Sequence, residues 1–163
     1  MQSNLVLTNY YRFECFRKGK LLWEETIKNI IVTVGLNDIL DKYFKGSSYT
    51  AAWYVGLVDN AGWTAFAAGD TLASHSGWTE FTTYSGTRKA LTLGTVSAGS
   101  VDNSASKASF TITTGGTLKG AFVATVTSGT SGTLYGEGAF TATRTVAIDD
   151  VLNVTITLTS ASG

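Results

Sequence analysis

Few side chains in this chain could do chemistry. Cys15 and His75 are the only members of their types in 163 residues. A nucleophile–base pair would have to join Cys15, or a serine, to His75. Cys15 alternates with Phe13 in a strand-like stretch, the setting of a small core residue rather than an activated thiol. His75 lies in Ser74-His75-Ser76-Gly77, a loop composition with no nucleophile motif beside it. Two carboxylates could serve glycoside hydrolysis on a β-sandwich. Of the acids after residue 46, Asp59, Asp70, Asp102 and Asp149-Asp150 fall in turn-forming sequence, where aspartate bonds nearby backbone. Glu80 and Glu137 fall in strand-like runs beside aromatics, where solvated positions are expected. Asp59-Asn60 or Asp102-Asn103 could offer oxygens to calcium, but neither resembles an EF-hand loop. A single cysteine excludes an internal disulfide and a cysteine zinc site, and a single histidine excludes multi-histidine metal sites. The glycines from Gly129 to Gly138 lack the Gly-Lys-Ser/Thr ending and the strand-to-helix setting of a phosphate loop. No catalytic, cofactor-binding or metal residue is therefore assigned, and no enzymatic activity is expected.

Charge excludes further classes. Twelve basic residues balance twelve acidic ones, unlike the basic excess of nucleic-acid-binding proteins. No run of about 18 apolar residues is present to span a membrane. The opening Met-Gln-Ser-Asn-Leu-Val-Leu-Thr has neither a charged leader nor a long apolar stretch, so no secretory signal is expected there. Glycine, threonine and serine make 59 of the 163 residues and proline is absent. With 44% apolar and 12% aromatic residues the chain can fill a core, and threonine favours pleated surfaces. The chain reads as mainly β.

The elements that must position these residues follow from periodicity. Half of the 24 charges lie in residues 1–46, so a boundary is placed near Gly46-Ser47-Ser48. It separates a hairpin, strand and helix region (1–46) from a sandwich (47–163), the two forming one compact unit. Residues 11–16 and 21–24 read as a hairpin turning at Gly19, and residues 26–32 as a third strand. Leu36, Ile39, Leu40, Tyr43 and Phe44 share one face of a helix over 34–45. Thr33 is its expected cap and the sheet its expected partner. Strands follow over 52–58, 78–84, 88–93, 108–113, 118–126, 133–140, 145–148 and 152–159, with loops at 62–77 and 97–106. Eight strands in two antiparallel sheets suit a jelly-roll-like sandwich, with an immunoglobulin-like sandwich as the alternative.

The aromatics leave two readings open. Trp53, Trp63 and Trp78 surround the long loop, where they could stack on a sugar or fill the core. Tyr10, Tyr11, Phe13, Phe16 and Trp23 exceed what a two-stranded ribbon buries. They either pack on the helix and sandwich or contact a partner, with Arg12, Arg17, Lys18 and Lys20 as rim charges.

Gly35 to Gly46, then Ala52-Trp53-Tyr54-Val55-Gly56-Leu57, Ala68 to His75, Gly77-Trp78-Thr79-Glu80 and Asp150 to Leu158 together resemble small virion structural proteins of tailed bacteriophages. The likeness is greatest to head decoration, or cement, proteins. It implies a non-enzymatic protein made in the bacterial host cytoplasm, bound to the capsid surface of the virion and stabilising it. The implied partner is the major capsid protein, with the chain a dimer or trimer on the shell. A tail or baseplate structural protein and a carbohydrate-binding module that recognises a host surface glycan are the alternatives.

Overall fold

The computed structural model describes residues 4–49 and 52–163. Strand β1 (Leu5–Arg17) alternates as its sequence requires: Tyr11, Phe13 and Cys15 are fully buried, while Tyr10 and Arg12 face outward. It turns through Lys18 (φ 49) and Gly19 (φ 75) into β2 (Lys20–Lys28). Two successive left-handed residues make the hairpin turn whose twist matches the strands. The expected strand over 26–32 is the end of β2 followed by β3 (Ile30–Ile31), which joins the other sheet. The chain changes sheets at buried Asn29. There the Asn29 N–H donates to the Asn9 carbonyl at 3.1 Å and the Asn29 Nδ2 to the Tyr11 hydroxyl at 3.0 Å. The neighbouring Asn9 Nδ2 donates to the Tyr135 hydroxyl at 3.1 Å. These bonds serve polar groups that would otherwise be buried unpaired at the crossing.

Helix α1 (Thr33–Ile39) continues into one π-helical turn over Leu40–Phe44. Thr33 is the first helical residue rather than the cap; its N–H donates to the Ala68 carbonyl at 2.8 Å. Eight strands follow: β4 (Tyr54–Asp59), β5 (Thr79–Phe81), β6 (Lys89–Ala90), β7 (Ser100–Asp102), β8 (Ala108–Thr111), β9 (Gly116–Ala124), β10 (Leu134–Val146) and β11 (Val151–Ser162). The expected strands 133–140 and 145–148 are one strand, β10, whose pairing with β9 shifts register between Ala139 and Arg144. Strand β7 lies inside the expected loop 97–106.

The strands form the expected β-sandwich. One antiparallel sheet runs β2-β1-β11-β7, with β8 also on β11; the other runs β3-β10-β9-β4-β5, with β6 also on β4. Tyr11, Phe13, Phe110, Leu118, Phe140, Leu152 and Ile156 fill the space between them. Each such side chain removed from water contributes roughly 1.5–3 kcal/mol. The first 46 residues are built into this arrangement, since β1 pairs with β11 from Leu5↔Ser162 to Phe16↔Val151.

A second apolar layer covers the outer face of the β4–β9–β10 sheet. Residues 60–78 run across it, and Leu72 and Trp78 pack with Val58, Phe122, Ala124 and Leu134. That sheet is buried on both faces, which explains why the β4 residues Val55, Gly56, Leu57 and Val58 are all buried instead of alternating.

Candidate interaction surface

The helix docks with a different face from the one its periodicity indicates. The side of α1 turned to the sheet carries Gly35, which is buried, with half-buried Asp38, Ile39 and Lys42 beside it. Leu36, Leu40, Tyr43 and Phe44 are 42%, 57%, 80% and 68% exposed. Of the five expected docking residues only Ile39 packs on the core. The cause is Gly35. Its missing side chain lets the helix backbone lie against the Tyr135 carbonyl, and that close approach fixes the helix rotation with the large apolar residues outward.

Beside this exposed row the helical segment and the sandwich enclose a cleft of about 540 Å³. It is walled by Ile39 and Tyr43 of the helical segment, Tyr49, Trp53, Leu91, Tyr135 and Leu158, with Asp38 and Lys42 also in its lining. Trp53 Nε1 donates to the Tyr49 hydroxyl at 2.7 Å, and the Trp53 ring meets Tyr135 edge-on at 5.4 Å. Exposed Tyr43 and Phe44 pack edge-to-face at 4.9 Å. An apolar row adjoining an aromatic cleft forms the kind of contiguous patch that marks a contact site.

The N-terminal residues expected to contact a partner divide between two faces. Tyr11 and Phe13 are fully buried, because odd positions of β1 point between the sheets. They are core residues unavailable to a partner. Phe16 and Trp23 are half-buried, and Trp23 packs edge-on against Phe140 at 5.7 Å. Tyr10, Arg12, Lys18 and Lys20 are exposed. Arg12 pairs with Glu24 at 2.8 Å and with Glu14 at 3.4 Å. Arg17 holds buried Asp150 through two bonds, Nε at 2.7 Å and Nη2 at 2.8 Å. Arg12 and Thr155 face each other in register, as do Tyr10 and Thr157. Thr155 is buried there, while half-buried Thr157 and Thr159 continue the outer face of mixed charge and hydroxyls.

The residues weighed for chemistry are used structurally. Cys15 belongs to the inter-sheet core, and burial, then the Asp150 charge, pushes its thiol up to about 11. His75 lies in the outer layer, stacked on Trp78 at 3.9 Å with Nδ1 3.1 Å from the Trp78 carbonyl oxygen. The two do not meet. Trp63 and Trp78 are joined through Phe66 in the outer layer, so of the three loop tryptophans only Trp53 borders the cleft. Asp59 and Asp102 accept from backbone N–H groups two residues on, as turn aspartates do.

Two acids depart from expectation. Glu80 is not a solvated strand residue: it takes both arms of buried Arg88, at 2.9 and 2.7 Å, while Arg88 also donates to the Val126 and Gly129 carbonyls. Glu137 is 0% exposed. Its carboxyl is pushed up to about 8, first by burial and then by the charge of Asp70. Sequence reasoning missed this pair; the available signal was an acid bracketed by two glycines in an otherwise apolar run, Leu134 to Phe140.

The family model described as podophage GP4 fiber I protein gp80 matches residues 31–161. The chain belongs to this family. The match takes in the helix, the cleft, the outer layer and all the strands from Ile31 of β3 onward, and leaves out β1 and β2. No curated protein matches the chain. Membership makes it a bacteriophage virion structural protein related to fibers. It does not single out head decoration, the role expected from the sequence. No helix among the described residues is long and apolar enough to cross a membrane.

Proposed function

We propose that this chain is a non-enzymatic subunit of a podophage fiber and holds a neighbouring virion protein through the apolar helix row and the adjoining cleft. The observation that carries the reading is Leu36, Leu40, Tyr43 and Phe44 standing exposed inside the segment matched to the fiber family. A domain in water gains nothing by leaving four large apolar side chains exposed beside an aromatic cleft. Burying them against a neighbour supplies the kind of apolar centre that interfaces use. Assembly then stabilises each subunit by mass action. Labelling the protein in purified particles, with its copy number, tests the location. Signal on fibers supports the reading, and signal spread over the head shell overturns it.

A second reading keeps the shell as the partner. It rests on the outer face of β1, where Tyr10 and Arg12 stand exposed, and on the adjoining hairpin end with exposed Lys18 and Lys20, which could meet the major capsid protein. Arg12→Glu with Lys20→Glu would weaken particle incorporation under this reading and leave it unchanged under the first. Leu40→Asp with Phe44→Ser has the opposite pattern.

A further inference from the structure

Glu137 and Asp70 form a contact that the structural role does not use. Glu137 sits on β10 beneath the strap of residues 60–78, and Asp70 sits on the strap itself. Both are buried, at 0% and 8% exposure. Neither Glu137 oxygen has an N–H or O–H donor of good geometry. The two donors at the site, the Ala67 N–H at 3.1 Å and the Trp78 indole N–H at 3.2 Å, both go to Asp70 Oδ2 and also face the Glu137 carboxyl, where they only partly offset the rise that burial and Asp70 cause. Two buried carboxyls that face each other, with no cationic side chain paired to either among the described residues, cannot both be ionised at modest cost.

We propose that Glu137 and Asp70 share one proton, and that this proton latches the strap onto the outer face of the sheet. Glu137 is the donor and Asp70 the acceptor, bonded side chain to side chain across the two layers. The latch closes the acid-facing end of an apolar seam, in which Leu72 and Trp78 already pack on Phe122 and Leu134. When the proton leaves to solvent, two buried charges of like sign face each other, and the strap must lift for water to reach them. Release falls near the value of about 8 to which burial drives the Glu137 carboxyl.

Among the described residues, the charged and titratable groups around the pair each have a partner, and none supplies a positive charge to it. On the strap, His75 is stacked on Trp78 and held at the Trp78 carbonyl. From β1, the buried Tyr11 phenol accepts from Asn29 and is raised first by burial and also by the charges of Tyr135 and Glu137, so it keeps its proton beside the pair. Tyr135, on β10 itself, is bonded by Asn9 and likewise raised by burial. Directly opposite on β9 stands Phe122. Lys119, also on β9, lies over the Trp63 ring and donates to the Phe140 carbonyl. Arg88 is consumed by Glu80. No group of three or more potential metal ligands occurs among the described residues.

The test is amide hydrogen exchange on the full chain between pH 6.5 and 9.5, read as protection factors. Residues 67–74 should lose protection by on the order of tenfold between pH 7 and 9.5, while β11 amides hold theirs. Glu137→Gln, which keeps a donor and removes the charge, should abolish that loss. Asp70→Asn should shrink it without abolishing it, because Glu137 then ionises beside a neutral partner while its burial remains, and it serves if Glu137→Gln folds poorly. Flat protection across the range in the wild type overturns the latch, as does an identical loss in a folded variant. A repeat with calcium chloride against EDTA separates a proton from a cation: calcium-dependent protection of 67–74 at pH 9 overturns the proposal in favour of a metal site.

Discussion

A Cβ placed on Gly35 would stand 2.3 Å from the carbonyl oxygen of Tyr135. No side chain fits that gap, so the helix can approach β10 only through a glycine. This one contact decides which residues of the helix see water. It turns Asp38, Ile39 and Lys42 toward the sheet and sends Leu36, Leu40 and Phe44 out.

The helix therefore has an inverted mutational profile. Gly35→Ala should cost about 1–3 kcal/mol through overpacking against backbone that cannot yield. Leu40→Ala, at 57% exposure, should cost under ~1 kcal/mol, against the roughly 2–5 kcal/mol of a buried leucine. Urea unfolding midpoints of the two variants check the order; a larger loss for Leu40→Ala would mean the apolar face is docked.

Arg88 joins three segments, taking Glu80 in a two-armed pair and closing on the Val126 and Gly129 carbonyls, with its guanidinium 5.0 Å from the Phe122 ring centre. Arg88→Met strands a partly buried carboxylate and should cost on the order of 3–5 kcal/mol. Arg88→Lys should recover little, because an ammonium cannot reproduce the fork. Rescue by lysine in thermal melts to within about 2 °C of wild type would contradict this.

The sandwich is legible in the sequence because strict alternation, as in Leu152, Val154, Ile156 and Leu158, is a local property of a strand with one buried face. Where a layer covers both faces, alternation disappears. Val55 to Val58 still read as a strand from their apolar run, but the layer over them leaves no local mark. Helix rotation is hidden for a related reason: the apolar row gives the amphipathic face, while the docked face is set by Gly35 and by the distant Tyr135. Glu137 reads as solvated because nothing near it in sequence announces Asp70. The aromatic hairpin divides as strand parity requires, with Tyr11 and Phe13 inward and Tyr10 and Arg12 outward. Its composition alone does not tell that β1 sits between β2 and β11 inside a sheet.

Removal of residues 1–24 should unfold the chain. It takes away β1, which joins β2 to β11, and with it Tyr11, Phe13 and Cys15 from the inter-sheet core. The newly unpaired edge of β11 would then favour aggregation. Circular dichroism of the truncated chain checks this; a native β spectrum with a cooperative melt would show instead that residues 25–163 fold alone.

Stability should peak on the acid side of neutrality, because two buried acids are shifted in opposite directions. Asp150 accepts from Arg17 and from the Ala147 N–H at 2.8 Å, and the Arg17 guanidinium, first among its causes, holds its carboxyl below the usual range. The folded state therefore binds fewer protons than the unfolded one at low pH, so this contribution is whole above the unfolded aspartate value of about 3.9 and is lost as pH falls through the folded value. Glu137 behaves the other way. Its folded carboxyl stands at about 8 against 4.5, so the folded state binds more protons between those values. Stability then declines as pH rises from about 4.5 to 8 and levels off above, for a total on the order of 3–4 kcal/mol after solvent screening. Chemical denaturation from pH 3 to 9 should give a maximum near pH 5. Arg17→Gln removes the group that depresses Asp150, so it should lower the maximum, flatten the loss below it and leave the slope of the alkaline side alone. Glu137→Gln should flatten the alkaline side and leave the slope of the acid side alone. If both variants shift the whole curve by a constant amount, the two carboxyls are not titrating with folding, and the assignment of one to each limb fails.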